Sequence, residues 1–183
     1  MAHRIRYAME GKLNRKLQGT IEVDETCIEG MSRRKGKLTG FENKISVVSL
    51  VQRNGKVRSF VVDTVSSLTL KKVLLENVSK ASNLKTDEWR GYKKVGIEFA
   101  SHQVVNHKKL EYARSDVITN TVEGYFGLLK HSVNDIFHHN NKKHLQRYLA
   151  EFDFRYNLRK LKDEKITPIA IKGFEGKRLL YSD

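Results

Sequence analysis

The sequence predicts a three-layer α/β fold built on a mixed central sheet. Three observations carry that prediction. The elements run strand, hairpin, helix, strand and then a helix bearing a carboxylate. The strand candidates are near-continuous apolar runs, which suits a sheet covered on both faces. With 183 residues, 39% of them hydrophobic, the chain is long enough to bury one substantial core.

Residues 1–16 are basic, with Met1, Ile5, Ala8 and Met9 at helical spacing. No capping residue precedes them, so the segment reads as the tail of a helix. Thr20–Asp24 alternates and ends in acids, a first strand. Ile45–Val51 and Val57–Val62 are rich in β-branched residues and flank Gln52–Lys56, whose Asn54-Gly55 pair is a strong hairpin signal. Arg33–Lys37 has Gly on both sides and reads as a mobile basic loop, equally a solvated charge run or a polyanion contact. Leu68–Val78 reads as a helix with Ser67 as N-cap and Leu70, Val73, Leu74 and Val78 as its buried side. Asn83–Asp87 should be a fourth strand ending at an acid, and Val104-Val105 a weaker fifth. Lys108–Asp116 is polar and reads as loop.

From Asn120 the pattern becomes helical with two faces. Val122, Phe126, Leu129 and Val133 form an apolar stripe, while Glu123, Gly127 and Lys130 share a second stripe. A glycine inside a helix costs about 1 kcal/mol relative to alanine, so Gly127 suggests room for something bulky beside the carboxylate. A connector, Asn134–Asn141, carries His138 and His139, which suit DNA contact or simple exposure. Lys142–Arg159 is a further helix with Leu145, Leu149, Phe152 and Tyr156 on one side. Arg147, Arg155 and Arg159 recur along it, and the last two are one turn apart, as suits tracking a backbone or lining a solvated face. Pro168 should break regularity before an irregular tail. This order of elements is that of the ribonuclease-H-like fold.

The formal net charge is +14 and the pI near 9.9. That excess predicts a polyanion partner, since counterion release drives basic proteins onto phosphate backbones. No apolar run approaches bilayer length and no signal-peptide core opens the chain, so a soluble, intracellular protein is expected. The single cysteine, Cys27, excludes an internal disulfide and a multi-Cys zinc site, and reads as a small packing residue.

Asp24 closes the first predicted strand and Asp87 the fourth. Ligands collect at the carboxyl ends of strands in α/β sheets. If the two strands are neighbours, Glu123 can reach both acids from the helix packed across that edge. Three carboxylates held together repel unless divalent cations neutralise them, and hard oxygen donors select Mg²⁺ or Mn²⁺. Two such ions roughly 4 Å apart would activate an attacking oxygen and stabilise the leaving oxygen of a phosphodiester. Lys130 could hold a phosphate by charge. Glu22 and Glu25 are expected on the face opposite Asp24, toward solvent or basic neighbours, and Asp63 reads as a turn residue. Trp89 and Tyr92 are expected to cover the sheet edge in preference to stacking on a base.

Four stretches, IEVDET at 21–26, TDEWRGY at 86–92, TNTVEGYFGLLKH at 119–131 and HLQRYLAEFDFRYNLR at 144–159, together with GFEGKRLLY at 173–181, resemble transposases of the IS1595 insertion-sequence family, in its ISXO2-like branch. The resemblance covers nearly the whole chain from about Gln18. It implies a DDE catalytic domain over 17–160 in which Asp24, Asp87 and Glu123 are the three acids binding two Mg²⁺ or Mn²⁺ ions, followed by the family's lysine at Lys130. It also implies cleavage and strand transfer of an insertion sequence, with transposon ends and target DNA as partners and assembly as a homo-oligomer on DNA. A cytoplasmic, nucleoid-associated location follows. Arg33, Arg34, Lys35, Lys130, Arg155 and Arg159 are the candidate DNA contacts. The chain departs from the family at its front, where relatives carry a zinc ribbon and a helix-turn-helix. Residues 1–16 resemble only the last helix of that region, and 161–183 a C-terminal tail. The competing expectation is a truncated, catalytically silent DNA-binding remnant that competes with or dimerises onto full-length transposase.

Overall fold

The computed structural model describes residues 2–10, 15–29, 44–105, 120–135 and 142–177. Its sheet is built from β1 (Thr20–Glu29), β2 (Lys44–Gln52), β3 (Val57–Val62), β4 (Asn83–Thr86) and β5 (Ser101–Val104), in the order β3-β2-β1-β4-β5. β1 and β3 run antiparallel to β2, whereas β1, β4 and β5 are mutually parallel. Helices α2 (Ser67–Asn77), α4 (Asn120–Asp135) and α5 (Lys142–Leu158) cover the sheet, and α1 (Ala2–Met9), α3 (Lys93–Gly96) and α6 (Asp163–Lys172) complete the described elements. This mixed sheet with one antiparallel strand is the ribonuclease-H-like arrangement.

Two apolar layers flank the sheet because its strands are apolar on both faces. On one side Leu70 and Leu74 of α2 pack with Ile21, Val23, Val48 and Leu50. On the other, Val122, Phe126 and Leu129 of α4 and Leu145 and Leu149 of α5 pack with Val47, Val51 and Val57. The apolar stripe predicted for α4 is thus its buried face. The hairpin turns at Asn54, whose φ of 56° is a left-handed conformation that asparagine tolerates.

Several boundaries differ from expectation. β1 continues five residues past Asp24, since Glu25–Glu29 pair with Val48–Lys44 of β2. The N-cap of α2 is Ser66 rather than Ser67: its Oγ accepts from the Thr69 amide at 3.2 Å. Pro168 lies inside α6 and does not break it. Its missing N–H removes one helical bond, on a helix with no buried residue, where water can serve the freed carbonyl. Helix α1 docks on α5 through Arg6 Nε, 2.8 Å from Glu151 Oε2. No described helix is long and apolar enough to cross a membrane.

Candidate active site

β1 and β4 pair in parallel through Thr20↔Asn83, Ile21↔Leu84 and Glu22↔Lys85. β4 then ends at Thr86, and beyond Glu22 the first strand pairs only with β2. Carried two residues further, the same register sets Asp24 opposite Asp87. The two acids therefore face one another across the gap opened where the parallel partner leaves the sheet. Asp24 is a mid-strand residue, yet it occupies the carboxyl end of the β1–β4 pairing, where ligands collect.

Glu25 joins them. One carboxylate oxygen from each of Asp24, Glu25 and Asp87 lies within 4.8 Å of the others, and all three residues are partly buried. Asp24 Oδ1 accepts from the Glu25 amide at 2.7 Å, and Asp87 Oδ1 from the Trp89 amide at 3.1 Å. Burial pushes the Glu25 carboxyl up to about 7. The Tyr92 phenol opposes part of that rise, while Asp87 and Asp24 add to it. Although the phenol stands close to Glu25, neither Tyr92 Oη nor Glu25 Oε1 completes a well-formed hydrogen bond, and both atoms are buried. Burial, then the Glu25 charge, drives the Tyr92 hydroxyl well above its ordinary range. Carboxylate oxygens crowded together, one of them buried without a partner, suit a hard divalent cation. The residues present fit a metal.

Glu123 stands apart. It is exposed in the first turn of α4 and lies outside the close group that Asp24, Glu25 and Asp87 form. Glu25, rather than the expected Glu123, is thus the third carboxylate of that close group. Lys130 is exposed on the same helix. A Cβ at Gly127 would meet nothing within 4 Å, so the space beside that stripe is open.

Glu22 corrects a second expectation. Two residues before Asp24, it shares that residue's face by strand alternation. It is buried at 1% exposure, where its carboxylate accepts from Arg53 Nε at 2.7 Å, the Thr121 amide at 2.9 Å, Thr121 Oγ1 at 3.0 Å and the Val122 amide at 3.1 Å. Glu25 does leave β1 on the opposite side, toward Tyr92, but beyond the end of β4 both faces of β1 border the same gap.

Trp89 lies across Gly91, where a Cβ would fall 1.7 Å from its ring, and meets Tyr92 edge to face at 5.8 Å. It remains 38% exposed beside Asp87. Cys27 is exposed on β1, not a packing residue. Arg155 donates to Glu151 at 2.9 Å, and Arg159 sits 4.0 Å from the Tyr156 ring centre. Both are exposed, Arg155 on α5 and Arg159 just past its end. Arg33, Arg34, Lys35, His138, His139 and Lys108–Asp116 lie outside the described residues.

A family model described as an ISXO2-like transposase domain matches residues 16–157. A Haemophilus influenzae protein described as an uncharacterized transposase-like protein is 29% identical over 119 residues, which is 64% of this chain and 95% of that protein. Among solved structures, a simian T-cell lymphotropic virus intasome in complex with PP2A regulatory subunit B56 gamma aligns with a TM-score of 0.44 and 13% identity, over 90% of this chain and 51% of that one. A Mos1 transposase paired-end complex with left transposon end aligns at 0.36 and 12%, over 94% and 62% of the respective chains. This chain thus spans about half to three-fifths of those structures' chains.

Proposed function

Because the chain belongs to the ISXO2-like transposase family, we propose that it forms the catalytic core of a metal-dependent DNA strand transferase that cuts at the ends of an insertion sequence and joins them to target DNA. The observation that carries this reading is the meeting of Asp24 and Asp87 where β4 leaves β1. Asp24 and Asp87 would hold the metal, Glu25 lies beside them, and Glu123 would complete the set from α4. Bound there, Mg²⁺ or Mn²⁺ would neutralise the acids, activate the attacking oxygen and offset charge on the leaving one.

The chain's own groups do the rest. Water attacks phosphorus at the element's end and breaks its bond to the 3′-oxygen, freeing a 3′-hydroxyl and leaving a 5′-phosphate. That hydroxyl then attacks a target phosphorus and displaces the target strand's own 3′-oxygen. Lys130 holds a phosphate by charge, and the open space at Gly127 admits the backbone between Lys130 and Glu123. The charge of +14 draws DNA onto the surface, with Arg33, Arg34, Lys35, Arg155 and Arg159 as contacts. Assembly as a homo-oligomer on DNA in the cytoplasm fits the same reading.

The test is nicking and strand transfer by the purified chain with Mg²⁺ or Mn²⁺. Asp87→Ala should abolish both reactions. Cutting by Asp87→Ala at the wild-type rate would overturn the assignment. The exposure of Glu123 favours a second reading, a catalytically silent DNA-binding protein. Salt-dependent DNA binding with no metal uptake by calorimetry would select it.

A further inference from the structure

We infer that Glu22 is a positioning residue: a buried carboxylate on the acidic strand that sets α4, and with it Glu123, in register with Asp24. This role rests on the strand-transferase reading, because it places Glu123 at that metal site. The first turn of any helix has backbone N–H groups without helical partners. They are usually satisfied from the residue just before the helix. In α4 two of them, on Thr121 and Val122, are instead satisfied by Glu22, about a hundred residues earlier in the chain.

The same carboxylate takes the Thr121 hydroxyl and the Arg53 guanidinium. Arg53 belongs to the turn between β2 and β3, and its amide donates to the Thr20 carbonyl at 3.0 Å. One side chain therefore ties the acidic strand, the hairpin and the start of α4 together. Glu123 follows directly on the two amides so held, and Asp24 lies two residues beyond Glu22 on the same face of β1. Val122, between the held turn and Glu123, is fully buried and locks the helix rotation. Glu22 touches no reacting group in this arrangement. Its carboxylate fixes the distance across which Glu123 must act.

The role is tested by Mn²⁺ titration calorimetry on the full chain in a double-mutant cycle of Glu22→Gln and Glu123→Gln, with Asp24→Asn alongside. Glu22→Gln should weaken Mn²⁺ binding about tenfold, in the range typical of groups that orient metal ligands. It should lower kcat for nicking more than it changes KM for DNA. In the Glu123→Gln background, Glu22→Gln should weaken Mn²⁺ no further, because its effect passes through Glu123. Equal weakening in both backgrounds marks a merely structural carboxylate and overturns the inference, as does no weakening at all, or no effect of Glu123→Gln itself. If Asp24→Asn abolishes binding while Glu22→Gln leaves it intact, only the role of Glu22 falls. If wild type and Asp24→Asn titrate alike, the metal site falls too. Should Glu22→Gln not fold, Thr121→Val removes one of the four donors and replaces it in the cycle: a loss of twofold or more that disappears in Glu123→Gln supports the role, and no loss overturns it.

Discussion

Asn157 and Val57 exchange two hydrogen bonds: the Val57 amide donates to Asn157 Oδ1 at 2.7 Å, and Asn157 Nδ2 donates to the Val57 carbonyl at 3.0 Å. β3 is an edge of the sheet, and this side chain offers what a further strand's backbone would. Gln146 does the same one register away, accepting from the Val61 amide and donating to the Ser59 carbonyl. Asp153 takes the Ser59 amide between them. Helix α5 thereby closes an edge that would otherwise invite pairing with another chain. Asn157→Ala should destabilise the fold by about 1–3 kcal/mol, since it leaves a part-buried donor and acceptor unmet. The urea midpoint reads this. An unshifted midpoint for Asn157→Ala would mean water replaces both bonds without cost.

Asp153 makes stability depend on pH. Its carboxyl accepts from the Ser59 amide, Ser59 Oγ and the Tyr125 hydroxyl, yet burial outweighs these and pushes it up from 3.8 to about 6. Between those values the folded chain keeps a proton that the unfolded chain has released. The contribution of Asp153 is therefore greatest below about pH 4 and is lost as pH rises through 6, by at most about 3 kcal/mol. Asn can meet the same partners, because the Ser59 and Tyr125 hydroxyls can turn to accept from its amide. Urea unfolding of wild type and Asp153→Asn between pH 4.5 and 7.5 should show the variant gaining on the wild type as pH rises. Parallel curves would refute the shift.

β2, β3, the hairpin between them and the faces of α4 and α5 were legible in the sequence because each rests on a local apolar pattern, whereas β5 runs over Ser101–Val104, mostly before the Val104-Val105 pair that suggested it. The meeting of Asp24 and Asp87 was legible too, as two acids that end the pairing of two parallel strands. What was not legible depends on partners distant in the chain. β1 runs to Glu29 because β2 pairs with its polar half, which propensity alone undervalues. Glu22 is buried because α4 brings two free amides and Arg53 brings a charge, although its parity with Asp24 could have put it on that face. Glu25 joins the acid group because β4 ends before it and leaves the space beside β1 open, which no local pattern in the sequence encodes.

Arg6 is the charged link between α1 and α5, beside the ring contacts of His3 with His144 and Tyr148 and the bonds from Lys177 to the Tyr7 and Ala8 carbonyls. Arg6 donates to Glu151 and lies 4.1 Å from the Tyr148 ring centre, with 14% of its side chain exposed. Arg6→Ala removes an ion pair and a cation–π contact from a poorly solvated site, so residues 2–9 should leave α5 while the sheet stays folded. Amide hydrogen exchange should show faster exchange in 2–9 with β1 and β2 unchanged. Arg6→Lys should restore little, since a point charge lacks the planar stacking of guanidinium. Protection of 2–9 equal to wild type would show that Ala8, His3 and the Lys177 bonds hold the helix without Arg6.

Gly127 separates stability from function. It lies inside α4, its φ is not positive, and a Cβ there meets nothing within 4 Å. On helix propensity alone Gly127→Ala should stabilise the protein by about 1 kcal/mol and raise its melting temperature. Gly124, which also has open space around it, should respond the same way. The two differ in where they face: Gly127 lies on the stripe of Glu123 and Lys130, and Gly124 does not. If DNA lies along that stripe, Gly127→Ala should raise KM for the DNA substrate several-fold while Gly124→Ala leaves it unchanged. Thermal melts and nicking kinetics on both variants decide the matter. Higher melting temperatures with equal KM values would show that the space beside Glu123 is not where the backbone runs.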